Sequence, residues 1–292
     1  HEVKKYVLDK YSLSLENCVF LTGNKHESSE YKRVYYNAFE KTIKAAGQPY
    51  EVYNKAYELI FNKDHIREHK FICLQRRPKI HRIALYTELY PHRHEGILTL
   101  GRGDFGTDLY NNFYNTDLFG NLYPTSNKKF KKQNLLSTIP AVYDLDVSIE
   151  NPVTDANSDK FYQSYLHVVS ESFFEKYGQM TFFSEKVFKP VIYFQPFVMF
   201  NQYNTLREFR SLGFETFPDI IDESYDEIEN DEFRFYKTVL AVTDFIKNNK
   251  KTMAKIMKKK FPVFAHNYFN LLARVNNEQE KLRADLILNL YN

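Results

Sequence analysis

The sequence has no tryptophan, only two cysteines and no long apolar run. No stretch approaches the ~20 apolar residues of a membrane-spanning helix, so no integral membrane segment is expected. Cys18 and Cys73 lie in strand-like apolar runs and fit neither a disulfide framework nor a zinc site. Reduced thiols are the simplest account of them, which predicts a cytoplasmic protein. The formal net charge of +3 is too small to indicate a nucleic-acid partner by itself.

Aromatic residues are abundant, with 26 Phe and 23 Tyr making up 17% of the 292 residues. Most of these rings are predicted to form the core, because large apolar side chains are usually buried. The alternative for some of them is a surface on which sugars stack. The length suits one large domain or two modest ones.

The order of predicted elements indicates an α/β fold. A buried strand over 71–74, a polar turn, a helix over 80–89 and a strand over 96–100 form a βαβ unit and predict a parallel sheet. Further strands are predicted over 17–21, 166–170, 197–200 and 214–217. Further helices are predicted over 31–46, 184–194, 205–212, 233–248 and 250–291, whereas 50–61 is open between helix and strand.

Three parts of the chain are predicted from this order. Residues 1–69 form a small N-terminal α/β unit, 70–249 form a Rossmann-like domain, and 250–292 form a helical C-terminal extension. In open parallel sheets, ligands bind at the carboxyl ends of the strands. The turns after Leu74, Leu100, Ser170 and Phe217 are therefore expected to face one crevice.

A polar cluster, Ser184-Glu185-Lys186, opens the helix over 184–194. A helix N-terminus has free N–H groups and partial positive charge, which suit a phosphate. Glu185 adds an acceptor for a ribose hydroxyl, and Lys186 adds a mobile cation. Together they are predicted to hold the diphosphate and ribose of an activated sugar. The alternative for Glu185 and Lys186 is an ordinary surface ion pair.

Two further features follow predicted strands. A basic turn follows the strand over 71–74, and its arginine forks suit phosphate oxygens. Its members are Arg76, Arg77, Lys79, His81 and Arg82. The alternatives are a solvated surface turn and, for His81, a helix residue bonded to backbone. Glu171, at the end of the strand over 166–170, is a candidate ligand of a sugar hydroxyl.

The Ser184-Glu185-Lys186 cluster, followed by Gln195-Pro196-Phe197, resembles the Ser/Thr-Glu-Lys donor motif of the alpha-1,3-fucosyltransferase family. The longer pattern is more similar to a group of viral and bacterial glycosyltransferase-like proteins. It adds Leu206, Leu212 to Phe217, the acidic string from Asp222 to Asp226, and the turn from Arg77 to Arg82. The resemblance covers roughly residues 70–245 and implies a GT-B fold, in which two Rossmann-like halves bind the donor mainly through the C-terminal half.

The resemblance implies a metal-independent glycosyltransferase that moves a sugar from a nucleotide-diphosphate donor to a glycan or another hydroxyl acceptor. It needs no cofactor besides the nucleotide sugar as co-substrate, and its location is the host cytoplasm if the protein is viral. Donor-binding candidates are Arg76, Arg77, His81, Arg82, Glu171, Ser184, Glu185 and Lys186. His26 and Glu27, in the loop after the first strand of the acceptor-side unit, are candidates for the catalytic base.

Three alternatives stay open. Asp144-Leu145-Asp146 has the Asp-x-Asp spelling of metal-dependent glycosyltransferases, although no metal site is expected here. Basic patches at 128–132 and 247–260 would suit a nucleic-acid-binding module. An enzyme-like glycan-binding protein without catalysis is the third.

Overall fold

The computed structural model describes residues 10, 19–22, 32–75, 78–101, 158–174 and 181–291. The predicted α/β class with parallel strands is confirmed. The six strands are β1 Val19–Thr22, β2 Lys32–Tyr35, β3 His69–Cys73, β4 Gly96–Leu98, β5 Ser164–Ser170 and β6 Phe197–Phe200. They form a two-stranded parallel sheet, β1-β2, and a four-stranded sheet in the order β4-β3-β5-β6, also parallel throughout.

Helices connect and cover these strands. The α-helices are α1 Pro49–Phe61, α2 Ile80–Leu89, α3 Ser158–Tyr162, α4 Glu185–Ile192, α5 Thr205–Ser211, α6 Asp231–Ile246 and α7 Lys250–Tyr291. Short 3-10 helices span Ala38–Ala46, Tyr90–His92 and Ser224–Glu227. The segment over 50–61, left open by the sequence, is thus helical.

In the four-stranded sheet, the order in which strands are added reverses between the two central strands, β3 and β5. From β3 the chain moves outward through α2 to β4, and from β5 it moves the opposite way through α4 to β6. Helix α2 packs with α6, whereas α4 packs with α7. This is the arrangement of a Rossmann-like sheet, in which crossovers on either side of the reversal cover opposite faces.

The helix predicted over 31–46 is wrong in its first part. Lys32–Tyr35 is a strand, and Val34 and Tyr35 pair with Leu21 and Thr22 of β1. The helix begins only after Asn37, whose side chain accepts a hydrogen bond from the Phe39 N–H at 3.1 Å. Asparagine is a common N-cap, so this residue carried the correct start signal.

The strand predicted over 214–217 is also wrong, although Phe214 and Phe217 are buried. Side chains form hydrogen bonds with the backbone N–H and C=O groups of this segment. The Phe217 N–H donates to Glu223 Oε1 at 2.6 Å. Asn267 accepts from the Glu215 N–H at 2.7 Å and donates to its carbonyl at 2.9 Å. Two buried rings within four residues resemble a buried strand in the sequence, but the described segment 214–217 is not a strand.

Helix α7 is predicted correctly as helical, and it packs on the rest of the fold. Arg274 forms a two-point ion pair with the buried carboxylate of Glu40, with nitrogen-to-oxygen distances of 2.6 and 3.0 Å. The Tyr268 hydroxyl donates to the Pro49 carbonyl at 3.0 Å. Within the described residues, no helix is long and apolar enough to cross a membrane. The division into three parts stays a prediction.

Arg234 ties helix α6 to the carboxyl ends of β5 and β6. Its side chain is 1% exposed and donates to the carbonyls of Phe174, at 2.6 Å, and Asn201, at 3.2 Å. It also donates to the carbonyls of Ile228 and Glu229 and to the Asp231 carboxylate. One guanidinium therefore satisfies four backbone carbonyls of three different loops.

We predict that Arg234→Met strongly destabilises the protein. Each buried acceptor left without a donor costs about 1–3 kcal/mol, so the free energy of unfolding should fall by at least about 3 kcal/mol. Urea unfolding followed by circular dichroism measures it. Lys247→Met, which removes an exposed ion pair with Asp244 at the end of the same helix, is the control and should cost less than about 1 kcal/mol. Equal losses in the two variants would contradict the bridging role of Arg234.

His167 is a buried neutral group of the central strand β5. Its ring stacks on Phe161 at 5.3 Å, and its Nδ1 lies 3.3 Å from Gln195 Oε1. The Gln195 amide nitrogen donates to the carbonyls of Phe161 and Ser164, so its oxygen is the atom that faces the imidazole. Burial, helped by the nearby Lys189 ammonium, lowers the pKa of His167 to about 3.

Because the folded-state pKa of His167 is depressed, the unfolded chain binds more protons between pH 6.5 and 3. The free energy of unfolding is therefore not reduced by His167 above pH 6.5, and it decreases as the pH falls below that value. We predict that, relative to pH 7, the free energy of unfolding at pH 5 falls by about 2 kcal/mol less in His167→Gln than in the wild type. Urea unfolding at the two pH values tests this, and an identical pH dependence of the two proteins would contradict it.

Candidate functional site

The reversal of strand order brings two loops together at the carboxyl edge of the sheet. One loop follows β3 and leads to α2, and the other follows β5 and leads to α4. Ligands of open α/β sheets bind at such a switch point. Of the four turns predicted to share a crevice, those after Leu74, Leu100 and Ser170 follow adjacent parallel strands. The turn after Phe217 does not follow a strand.

Glu171 directly follows β5, and its carboxylate is fully buried. Ser184, the N-cap residue of α4, donates to it through the backbone N–H at 2.9 Å and lies with its hydroxyl 2.7 Å from each carboxylate oxygen. The Ser172 N–H donates to it at 3.1 Å. A buried carboxylate is stable only when its oxygens are hydrogen-bonded, and these groups bond both. The end of β5 and the start of α4 are thereby joined.

Lys186 lies beside this carboxylate, in the first turn of α4. Its Nζ is 3.1 Å from the Ser184 hydroxyl, 3.1 Å from Glu185 Oε1 and 3.9 Å from Glu171 Oε2. Burial opposes the ionisation of Glu185, but the Lys186 ammonium outweighs it and holds the pKa of Glu185 below its usual range. The Lys186 side chain keeps 24% of its surface exposed.

The structure therefore brings Glu171, which the sequence predicted separately, to the predicted cluster of Ser184, Glu185 and Lys186. We call these four residues the acid–lysine cluster. Glu185 and Lys186 do form an ion pair, as the alternative interpretation had it. That pair is partly buried and is linked through Ser184 to a fully buried carboxylate, so it differs from an isolated surface pair.

Residues at the start of α2 donate hydrogen bonds to backbone carbonyls at the carboxyl end of β5. Lys79 donates to the Ser172 carbonyl at 2.7 Å, His81 Nε2 to the Glu171 carbonyl at 2.9 Å, and Arg82 to the Ser170 carbonyl at 3.1 Å. His81 and Arg82 are each 4% exposed. Burial and the neighbouring Arg82 charge lower the pKa of His81 to about 3, so its ring is neutral.

His81 and Arg82, predicted as phosphate ligands, thus hold three successive carbonyls of the β5 loop together with Lys79. For His81 this is the alternative that the sequence left open, a helix residue bonded to backbone. Arg76 and Arg77 lie outside the described residues, as do His26, Glu27, Asp144 and Asp146. Within the described ranges, no group of three or more His, Cys, Asp or Glu side chains could hold a metal ion.

The acidic string predicted beside the donor site has its own partners. Asp226 accepts from the N–H groups of Leu206 and Arg207 at 2.8 and 3.0 Å and so caps helix α5. Glu223 accepts from Thr216 and Arg210 at 2.8 and 3.1 Å. Burial raises the pKa of both carboxyl groups. These two carboxylates fasten α5 to the 3-10 helix Ser224–Glu227.

Two polar side chains at the switch point were not identified from the sequence. The carboxamide of Gln75 and the hydroxyl of Ser170 are buried and have no hydrogen-bond partner in the described part of the chain. The register that pairs Phe71 with Leu166 places Gln75 opposite Ser170 when it is continued along both strands. Gln75 follows Leu74 in a predicted turn, which was the available signal.

A comparison with protein-family models found no match, and comparisons with curated proteins and with solved structures found none either. The resemblance to the fucosyltransferase motif therefore stands on the motif residues themselves.

Proposed function

We propose that this protein is a glycosyltransferase with a GT-B arrangement, which moves a sugar from a nucleotide-diphosphate donor to a hydroxyl of a glycan acceptor in the cytoplasm. The acid–lysine cluster at the sheet's carboxyl edge is the observation that carries the proposal. A buried carboxylate, a capping serine, a second carboxylate and a part-exposed ammonium meet at a helix N-terminus beside a topological switch point.

Each member of the cluster has a role in donor binding. The Lys186 ammonium binds the diphosphate and stabilises the charge that develops as it leaves. Glu185 accepts a ribose hydroxyl. The first N–H groups of α4 are not left for the phosphate, because Lys186 and Val187 donate theirs to the hydroxyl and the carbonyl of Ser184. Glu171 and Ser184 position Lys186 rather than contact the donor, because both are almost fully buried.

The remaining roles are proposed for residues outside the described ranges. Arg76 and Arg77 would contact the donor phosphates, and His26 or Glu27 would take the proton from the acceptor hydroxyl. Cationic side chains then do the work that a divalent metal does in Asp-x-Asp enzymes, so catalysis needs no metal ion.

The nucleic-acid-binding alternative is less well supported. Part of the second basic patch is neutralised by the chain itself, since Lys259 and Lys260 lie 3.9 and 2.5 Å from the Asp219 carboxylate. The other patch, 128–132, lies outside the described residues.

We predict that at least one nucleoside diphosphate or its sugar binds and stabilises the protein. A ligand present at 100 times its Kd should raise the free energy of unfolding by about 2.7 kcal/mol. Lys186→Met should weaken this binding by roughly 10- to 150-fold, because a charge-assisted hydrogen bond contributes about 1.5–3 kcal/mol. Thermal shifts and calorimetry across a panel of nucleotides and nucleotide sugars measure both effects.

Lys189→Met is the matched control, since it removes a lysine one turn further along the same helix. It should leave the Kd within about a factor of two. If Lys186→Met and Glu185→Gln keep the wild-type Kd and melt at a lower temperature, the cluster is a structural ion pair only. If no compound of the panel shifts the melting temperature or gives a heat of binding, the proposed function is wrong.

We predict that the wild-type protein transfers sugar at the same rate in excess EDTA as without EDTA. Lys186 and the arginines stabilise the leaving diphosphate in place of a metal ion. The measurement is release of nucleoside diphosphate with and without EDTA, with Asp146→Ala as the accompanying variant. Activity that is lost in EDTA, restored by Mn²⁺ and equally absent in Asp146→Ala would place the protein in the metal-dependent class.

A further inference from the structure

Three half-buried phenylalanines stand beside the acid–lysine cluster. Phe182 makes edge-on contacts with Phe39 and with Phe173, each at a centroid distance of 5.8 Å, with interplanar angles of 83° and 89°. The Lys79 ammonium lies 5.2 Å from the centre of the Phe173 ring. We call Phe39, Phe173 and Phe182 the aromatic rim.

The chain fixes this rim next to the polar site. Phe173 comes two residues after Glu171, and Phe182 comes two residues before Ser184, so each Cα lies within about 7 Å of the Cα of a cluster residue. Lys79 bonds the carbonyl of Ser172, between Glu171 and Phe173. The chain therefore places Phe173 and Phe182 next to the cluster residues Glu171 and Ser184.

The third ring comes from a distant part of the sequence. Phe39 lies in the 3-10 helix that follows β2, in the part predicted to be the acceptor side. Asn37, its N-cap residue, donates to the Phe183 carbonyl at 3.1 Å, directly before Ser184. The N-terminal unit thus contributes an aromatic ring to the edge of the proposed donor site.

This combination of groups matches the two sides of a pyranose ring. One face of a pyranose carries C–H groups and is apolar, whereas hydroxyls project from the edge of the sugar ring. Binding sites for such ligands combine aromatic walls with a few polar groups that fix orientation. Here half-buried rings supply the wall, and the Lys79 ammonium, 5.2 Å from the centre of the Phe173 ring, supplies a charged group beside it.

We propose that the aromatic rim binds a pyranose ring of the glycan acceptor, with Phe182 at its centre. That this sugar is the acceptor rests on the proposed function, but its binding to the rim does not require a nucleotide. Phe39 is then a specificity residue supplied by the N-terminal unit.

Saturation-transfer NMR on the full chain, with a panel of methyl glycosides of common hexoses and no nucleotide present, tests this proposal. At least one glycoside should receive saturation on its ring C–H protons. Phe182→Leu and Phe173→Leu should weaken its affinity by roughly 2- to 13-fold, the range expected from the loss of one aromatic contact. Leucine keeps an apolar side chain at each position, and circular dichroism verifies the fold.

Phe233→Leu is the matched control, because Phe233 is a 51% exposed phenylalanine on α6. It should leave glycoside affinity unchanged. The proposal is overturned if no glycoside binds, if the rim variants bind as the wild type does, or if Phe233→Leu loses as much affinity as they do.

The nucleotide panel described above separates this proposal from the proposed function. If nucleotides bind and glycosides do not, only the rim proposal fails. If glycosides bind through the rim and no nucleotide binds, the rim stands and the transferase function fails.

Discussion

The buried carboxylate of Glu171 is the constraint that organises the contacts at the carboxyl ends of the parallel strands. A charge without access to water has to be hydrogen-bonded or paired, or the fold loses several kcal/mol. Ser172 and Ser184 bond the carboxylate, Lys186 lies beside it, and His81 takes the carbonyl of the same residue. The starts of α2 and α4 are both held to the end of one strand by these contacts.

Such a rigid edge suits a site that has to hold a ligand in one geometry. Functional groups act well when their own positions are fixed by a second set of contacts. Lys186 is placed by three oxygen atoms, while part of its surface stays open to solvent. The neutral His81 ring stacks on Phe174, whose carbonyl Arg234 binds, so the support of the edge extends to α6.

The sequence was a good guide to the periodic parts of the fold and a weaker one to long-range contacts. The helix over 80–89 and the strand over 197–200 were predicted correctly because their apolar patterns and turn residues agree. The segment Phe214–Phe217 was misread as a strand, because its two rings are buried and the side chain of Asn267, 52 residues from Glu215, bonds its backbone. The meeting of Glu171 with Ser184 depends on sheet register, and the structural use of Arg82 depends on a carbonyl 88 residues away, which no local pattern encodes.

The ion pair between Glu40 and Arg274 joins residues 234 positions apart. At about 5–20 residues per second, a ribosome needs roughly 12 to 47 s to add that length. During this time the carboxylate of Glu40 has no access to its arginine, although Asn37 can already bond the Phe183 carbonyl. The four-stranded sheet is complete in sequence by Phe200 and can form first. The 3-10 helix Ala38–Ala46 therefore has a carboxylate without its cation until α7 has been made, and this segment needs protection during that time.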